Sequence, residues 1–365
     1  MKRRMMVIVC VLFSIQGGIA LGRSFLATVV RLPRLTGLTR SAVPPSGYAI
    51  RFYDIGAKPA GGQDFQGVSL YSPYRAYVTD AVRRGAFLIL ANSSPGNGCV
   101  AYKYLVNPAR WTVEKKFPWR ALIVGSQPAS LMVGADGSDW VWCQGRKGRF
   151  TLRIFRRKFA GQVGAYTLPR RYRYFASVLA GGQAVVFTDT QPPTRNCRVV
   201  VVRENGSTRT VDLTSKIGSH PKFIAAVGRQ VTGMTPNGRL IEITISQLGS
   251  VSRAMTLQVV TPQRNGYVDA YTALNAMVGF CEVQVPSENG MGYSYRLLSI
   301  SLRTGKITKT VRLSTFAPQL LAANGGVCAV TPSGSVEVYT PDLKYAGRLA
   351  ARVGGLLKSA LVKTR

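Results

Sequence analysis

The chain holds one histidine, His220, in the stretch KIGSHPKF, so any proton relay through imidazole must use that residue. A Ser-His-Asp arrangement also needs a presented nucleophile, and no Gly-x-Ser-x-Gly elbow supplies one. His220 therefore reads as a loop histidine. Metal ligation has as little to work with. Beyond the first 22 residues the cysteines are Cys99, Cys143, Cys197, Cys281 and Cys328, with no CxxC pair among them. One histidine and scattered cysteines do not make a zinc site of the usual kind. Each cysteine lies in or beside an apolar run such as VCAVT or GFCEVQV, which is the setting of a small buried hydrophobe. Asp136 and Asp139 in GADGSDW are close, but a calcium loop wants more oxygen ligands at alternating positions, and the pair reads as a turn. Asp54, Asp64, Asp80 and Asp269 could meet where loops converge. No metal or cofactor is expected from these residues.

The richest stretch is RKGRFTLRIFRRKFAGQVGAYTLPRRYRYF, residues 146–175. Its cations are Arg146, Lys147, Arg149, Arg153, Arg156, Arg157, Lys158, Arg170, Arg171 and Arg173. Seven aromatics interleave with them, and no acid occurs between Asp139 and Asp189. Cations beside aromatic faces can grip an anionic polymer, a lipid headgroup or nucleic acid by charge and stacking. In RFTLRIF, strand alternation places Phe150, Leu152 and Ile154 on one face and Thr151, Arg153 and Phe155 on the other, so some of these rings are packing residues.

The whole chain shares this bias. Lys and Arg number 48 against 15 Asp and Glu, a formal charge of +33 over 365 residues. Arginine dominates, and its planar fork suits phosphate, sulfate and carboxylate. A field of this sign attracts polyanions, although charges spread along strands also serve solubility. At the start, Lys2-Arg3-Arg4 precede an apolar run from Met5 to Ile15, and Ala20-Leu21-Gly22 fits a small-x-small cleavage pattern. Residues 1–22 are expected to be a signal peptide, with an uncleaved membrane anchor as the alternative. The body is expected to be secreted or periplasmic, which makes nucleic acid a less favoured partner than an anionic polymer, an anionic membrane surface or a protein. Asn92-Ser93-Ser94 and Asn205-Gly206-Ser207 match the glycosylation pattern.

The elements that must carry these residues repeat. TPNGRLIEIT at 235–244 and TPSGSVEVYT at 331–340 share Thr-Pro-x-Gly-x-apolar-x-Glu-x-Thr. Each Gly turn follows one apolar strand and opens an alternating one, a strong hairpin signal. The same slot falls near Gly96, Gly137, Pro193, Gly238, Glu288 and Gly334, with an earlier copy near residue 60. Within one period four strands can be read, as KFIAAV, QVTGMT, RLIEITI and SRAMTLQVV, and again as QLLAA, GVCAVT, SVEVYT and KYAGRLA.

Four strands per unit of forty to fifty residues resembles the β-propeller repeat proteins, each unit being a blade that is stable only between neighbours. The resemblance is generic: the marks of WD, kelch and quinoprotein repeats are missing, so no functional residue is carried over. It implies an all-β chain of seven four-stranded blades, with six as the alternative, over residues 47–350. The slot is expected to join the second and third strands of each blade. Residues 23–46 are expected to be a basic linker or an extended segment lying on the ring. Residues 351–365 are expected to be a basic tail that either completes the first blade or forms a short helix. Function is expected to be that of a binding module or scaffold with a basic surface. The alternative is a propeller-fold hydrolase or lyase acting on an anionic glycan.

Overall fold

The computed structural model describes strand backbone between residues 24 and 118 and at 356–363, and most of residues 126–349. Side chains are described between Met132 and Arg348; residues 1–23 and short segments including 146–148, 157–160, 191–196, 259–265 and 288–290 lie outside it.

The chain opens with β1 (Ser24–Arg31), β2 (Tyr48–Asp54) and β3 (Gln63–Asp64). Six sheets of four consecutive antiparallel strands follow. The first holds β4 (Ala76–Thr79), β5 (Phe87–Ser94), β6 (Gly98–Asn107) and β7 (Thr112–Pro118). The next has β8 (Ser126–Val133), β9 (Asp139–Gly145), β10 (Phe150–Phe155) and β11 (Gln162–Thr167). Then come β12 (Tyr172–Ala180), β13 (Gln183–Thr190), β14 (Arg198–Val202) and β15 (Thr208–Asp212). After a four-residue helix, α1 (Thr214–Ile217), stand β16 (Phe223–Val227), β17 (Gln230–Met234), β18 (Arg239–Ile245) and β19 (Val251–Gln258). The last two sheets are β20 (Tyr267–Ala273), β21 (Val278–Pro286), β22 (Tyr293–Ser301), β23 (Ile307–Arg312), and β24 (Gln319–Ala323), β25 (Gly326–Val330), β26 (Val336–Tyr339), β27 (Tyr345–Leu349). Finally β28 (Leu356–Lys363) returns to pair with β1, giving a seventh sheet in the order β28-β1-β2-β3.

Successive sheets pack through their first strands, β4 on β8, β8 on β12, and so on through β24 on β28. The first strands thus line the inside of a ring, and the sheet built from both termini joins the last blade through β28, as a propeller closes by pairing its two chain ends in one blade. This is the propeller architecture. It reaches beyond residues 47–350: β1 lies inside the segment read as a linker, and β28 completes the first blade, one of the two readings given for residues 351–365. Neither strand carries a local signal for its partner, which lies more than three hundred residues away.

The four strands of a blade are buried to different degrees. In β13, Ala184 and Val186 pack toward β8–β11 while Val185 and Phe187 pack toward β16–β19, so alternate residues serve opposite neighbours, the middle of the strand is continuously apolar, and the strand is buried nearly end to end. The same alternation binds β20–β23 to its two neighbours, with Cys281 and Val283 facing back and Phe280 facing forward. Fourth strands are the reverse: β15 and β23 are mostly exposed and carry Arg209, Lys309 and Arg312. Cationic side chains on an edge strand discourage pairing with another chain. Part of the positive charge therefore has a structural role.

The repeated phrase forms a tight hairpin. The Thr235 amide donates to Arg239 O at 2.9 Å and the Gly238 amide to Thr235 O at 3.0 Å. Gly238 takes a left-handed φ of 78°, a conformation costly for other residues. In the second copy the Thr331 amide donates to Ser335 O at 2.8 Å. Gly96, Pro193, Gly238, Glu288 and Gly334 lie between second and third strands, as expected. Two slots do not. Gly137 lies between β8 and β9, the first two strands of their sheet, and residue 60 lies between β2 and β3, the last two of theirs. A turn signal such as Asp136-Gly137 or Gly61-Gly62 marks a hairpin but not which hairpin of the blade, so spacing alone misassigned both.

Candidate functional site

All first strands run the same way round the ring. One end of it therefore collects the starts of the first strands, the ends of the second and the loops between blades. The entry into β12 places Arg170, Arg171, Tyr172 and Arg173 there, after a turn in which the Tyr172 amide donates to Pro169 O at 2.9 Å. The three arginines are exposed, and none pairs with a carboxylate among the described residues. Arg171 lies 5.0 Å from the centre of the Tyr172 ring. Arg198 covers the same ring, donates to the Tyr172 hydroxyl at 3.1 Å, and pairs with Asp212 at 3.2 Å. The Asp212 carboxyl is held below its usual range by the Thr214 hydroxyl and amide and then by Arg198.

Phe175 is the extra residue of a bulge between β12 and β13, and the bulge turns its ring outward. It is 37% exposed, with Arg173 5.4 Å from its centroid. The His220 ring stacks on one of its faces at 4.1 Å and 11°. His220 Nε2 lies 3.7 Å from Asp189 Oδ2, and Asp189 is buried with its Oδ1 accepting from the Thr190 amide at 2.7 Å. The lone histidine thus joins two blades. It has no nucleophile beside it that the structure describes, and its geometry is that of a support for Phe175.

In the next blade but one, the bulge residue equivalent to Phe175 is Asp269, which pairs with Lys222 at 3.8 Å. Beside it Glu282 of β21 is wholly buried, and neither carboxylate oxygen has a hydrogen bond of normal geometry among the described residues. Burial pushes its pKa up to about 8 and the Asp269 charge adds to the rise, while the Ala317 amide draws it slightly back. Glu282 faces the apolar interface of β20–β23 with β24–β27, as Phe280 does. It cannot touch a substrate from there. Sequence reasoning passed over it, although a Glu inside GFCEVQV, flanked by apolar residues, is a signal for a buried acid.

The six described cations of residues 146–175 do not lie together. Arg149 precedes β10 at the same end of the ring as Arg170, Arg171 and Arg173. Arg153 is half-buried within β10, with Nη1 3.5 Å from Gln162 Oε1. Arg156 follows β10 at the opposite end, beside Arg203, Glu204 and Asn205. Arg146, Lys147, Arg157 and Lys158 lie outside the described residues, as do Asp80 and the side chains of Asp54 and Asp64. Of the aromatics, Phe150, Tyr166 and Tyr174 pack into the interface built around Trp140 and Trp142, and Phe155 is buried. The Trp142 indole donates to Ser177 Oγ at 2.8 Å across that interface. Phe159 lies outside the described residues, and among the described aromatics of the window Tyr172 and Phe175 remain for a ligand.

No family model matches the chain, and no curated protein matches it in sequence. Solved structures do match in shape. A putative 6-phosphogluconolactonase from Bacteroides fragilis superposes with a TM-score of 0.54 at 9% identity, over 94% of this chain and 99% of that one. Sqt1 from Saccharomyces cerevisiae gives 0.52 at 9% identity, over 85% and 84%. The β-propeller domain of Cps50 (Swd1) from Myceliophteria thermophila gives 0.51 at 10% identity, over 84% and 99%. At such identities the likeness is one of fold, and the fold is the β-propeller.

Proposed function

We propose that the chain is an exported β-propeller that acts as a binding module, holding an anionic polymer against the end of the ring where β12 begins. The observation that carries this reading is the group of Arg170, Arg171 and Arg173 around an exposed Phe175. These cations have no carboxylate partner among the described residues, and the aromatic beside them is held outward by a bulge and a stacked histidine. Charge attracts the polymer and the ring gives a face to stack on. An anionic membrane surface or an acidic protein would meet the same cations, but neither needs the exposed ring.

The hydrolase or lyase reading asks for an acid that reaches substrate. Glu282 has a pKa suited to a general acid but lies behind the blade interface, so binding is preferred.

The test compares two triple variants on heparin. Replacing Arg170, Arg171 and Arg173 with Gln is expected to weaken retention far more than replacing Arg209, Arg253 and Lys309, three cations of the fourth strands. Equal losses would mean that only net charge matters. Anionic vesicles run in parallel separate a membrane surface from a soluble polymer, and amino-terminal sequencing of the exported protein tests removal of residues 1–22.

A further inference from the structure

Three blades place a cross-strand pair at the same point, where the fourth strand ends opposite the first part of the third. In each, the leucine after the fourth strand donates its amide to the residue just before the pair. Leu168 donates to Phe150 O at 2.9 Å, Leu213 to Cys197 O at 2.8 Å and Leu313 to Tyr295 O at 2.9 Å. The pairs so located are Thr151 with Thr167, Arg198 with Asp212, and Arg296 with Arg312. In β8–β11 the two threonine hydroxyls share a hydrogen bond at 3.2 Å. In β12–β15 Arg198 and Asp212 form an ion pair at 3.2 Å. In β20–β23 two arginines face each other, and among the described residues neither side chain has a hydrogen bond or an ion pair. Like charges directly opposite on adjacent strands destabilise a sheet.

The second partner of Arg198 is replaced as well. Arg198 also donates to the Tyr172 hydroxyl at 3.1 Å, and Tyr172 stands three residues before the bulge residue Phe175. Three residues before Asp269, the bulge residue of β20, stands Gly266. Of the two groups that engage Arg198, one gives way to a second cation and the other to no side chain at all. The acids of this part of the chain do not take their place. Asp269 is held by Lys222 at 3.8 Å, and Glu282 lies on the opposite face of the sheet, one residue from the Val283 that pairs with Arg296. The loop that enters β20 brings none, because no acid occurs in sequence between Glu242 and Asp269. Arg312 is exposed and Arg296 half-buried, so the pair can be reached from solvent.

We propose that Arg296 and Arg312 clamp a phosphate monoester, which lies where a carboxylate and a hydroxyl lie in β12–β15. Two cations side by side match a group that carries about −1.5 to −2 at neutral pH, as a phosphate monoester does. A carboxylate, a sulfate ester or a phosphodiester carries a single charge and leaves one arginine uncompensated. Each guanidinium presents a planar fork to phosphate oxygens. The clamp lies on a different blade from Arg170, Arg171 and Arg173 and does not rest on the polymer reading.

Titration calorimetry of the full chain with methyl phosphate tests it, with dimethyl phosphate and acetate as singly charged controls. Wild type is expected to bind methyl phosphate about tenfold more tightly than either control. Arg296→Gln and Arg312→Gln are each expected to weaken it about tenfold, and Arg312→Lys less, because it keeps the charge without the fork. Arg312→Asp rebuilds the pair that Arg198 and Asp212 make. It is expected to fold normally, as a thermal melt verifies, and to bind no methyl phosphate. Replacing Arg170, Arg171 and Arg173 with Gln is expected to leave methyl phosphate binding as in wild type, so the clamp and the polymer surface stand or fall separately. Glycerol 3-phosphate and a phosphoserine peptide carry the same group, and the tighter of the two identifies its source as a small molecule or a protein. The inference is overturned if methyl phosphate binds no more tightly than dimethyl phosphate, or if Arg296→Gln and Arg312→Asp bind as wild type does. It is also overturned if the triple variant at β12 loses as much as they do.

Discussion

Glu282 holds, in the second strand of its blade, the register position that Phe187 holds two blades earlier. Each lies opposite the residue that follows the bulge of the first strand, Ala270 in one blade and Ala176 in the other. Trp142 fills the same position one blade before Phe187, opposite Ser130. All three are fully buried. A carboxyl therefore stands where sister blades pack an aromatic ring, and the cost of charging it belongs to the blade interface.

Stability should accordingly depend on pH through Glu282. A carboxyl whose folded pKa lies above its unfolded value favours the folded state most when both forms are protonated. Its contribution is full below about pH 4.5, falls as pH rises, and levels off above about pH 8. The loss across that window is of order a few kcal/mol. Urea midpoints at pH 5, 7 and 9 should fall for wild type and stay flatter for Glu282→Gln, the variant being the more stable at pH 9. Asp269→Asn removes the neighbouring charge and should move the wild-type transition to lower pH. Parallel pH curves for wild type and Glu282→Gln would contradict this.

Leu343 stands where Gly238 stands. Thr340 to Lys344 closes with the same bonds as Thr235 to Arg239, the Thr340 amide donating to Lys344 O at 2.9 Å and the Leu343 amide to Thr340 O at 3.0 Å. Leu343 has a φ of 57°, the one non-glycine residue in the left-handed region among those described, and its side chain is buried against Ala317 and Leu320. Left-handed backbone costs a leucine about 1–2 kcal/mol, and burial of the side chain returns about 1.5–3 kcal/mol. Leu343→Ala keeps the strain and loses the packing, so it should destabilise by about 2–3 kcal/mol. Leu343→Gly loses the packing but removes the strain, and should fall between wild type and Ala. Denaturant unfolding of the three proteins gives the order.

Much of this was legible in the chain itself. In residues 222–260 the strands were readable almost to the residue, because Gly228 and Gly238 punctuate apolar runs whose two faces are both buried. The blade from Gln319 to Leu349 was equally clear. Partners distant in sequence were harder: the tail could be read as completing the first blade, but not the strand it would pair with. Ser24–Arg31 looks like a basic linker until Leu356–Lys363 is seen beside it. The basic window reads as one patch until β10 carries Arg149 and Arg156 to opposite ends of the blade. The Glu in RLIEITI, GFCEVQV and SVEVY did carry a local signal, since in each an acid breaks an apolar strand. Glu242, Glu282 and Glu337 are all buried.

The cysteines make a further prediction. Cys197, Cys281 and Cys328 are free thiols, and they and Cys143 are buried, at 0–2% exposure. Burial pushes the Cys197 and Cys328 thiols up to about 12 and raises Cys281 as well, so the reactive thiolate is scarce at neutral pH. A variant with Cys10 and Cys99 replaced by Ser should react with a thiol reagent slowly when native. It should give four thiols promptly in denaturant. Fewer than four under non-reducing denaturation would reveal a disulfide and contradict the arrangement.

Stacking and charge at the entry into β12 can be told apart by salt. Exposed charges are screened within about 8 Å at physiological ionic strength, so the electrostatic share of polymer binding must fall as salt rises. On duplex DNA, which serves here as a polyanion of known charge spacing, each phosphate neutralised contributes about 0.9 to the slope of log affinity against log salt. Replacing Arg170, Arg171 and Arg173 with Gln should lower both the affinity and the slope, by up to about 2.7 if all three meet phosphates. Phe175→Ala removes no charge. It takes away a ring that His220 backs on one face, and the stacking it offers is worth about 1–3 kcal/mol per base on a single strand. Its affinity for single-stranded oligonucleotide should therefore fall by a similar factor at every salt concentration, with the slope unchanged. A reduced slope for Phe175→Ala would mean that the ring serves mainly to position Arg173. An unchanged affinity would remove Phe175 from the site and leave the arginines as a charged surface alone.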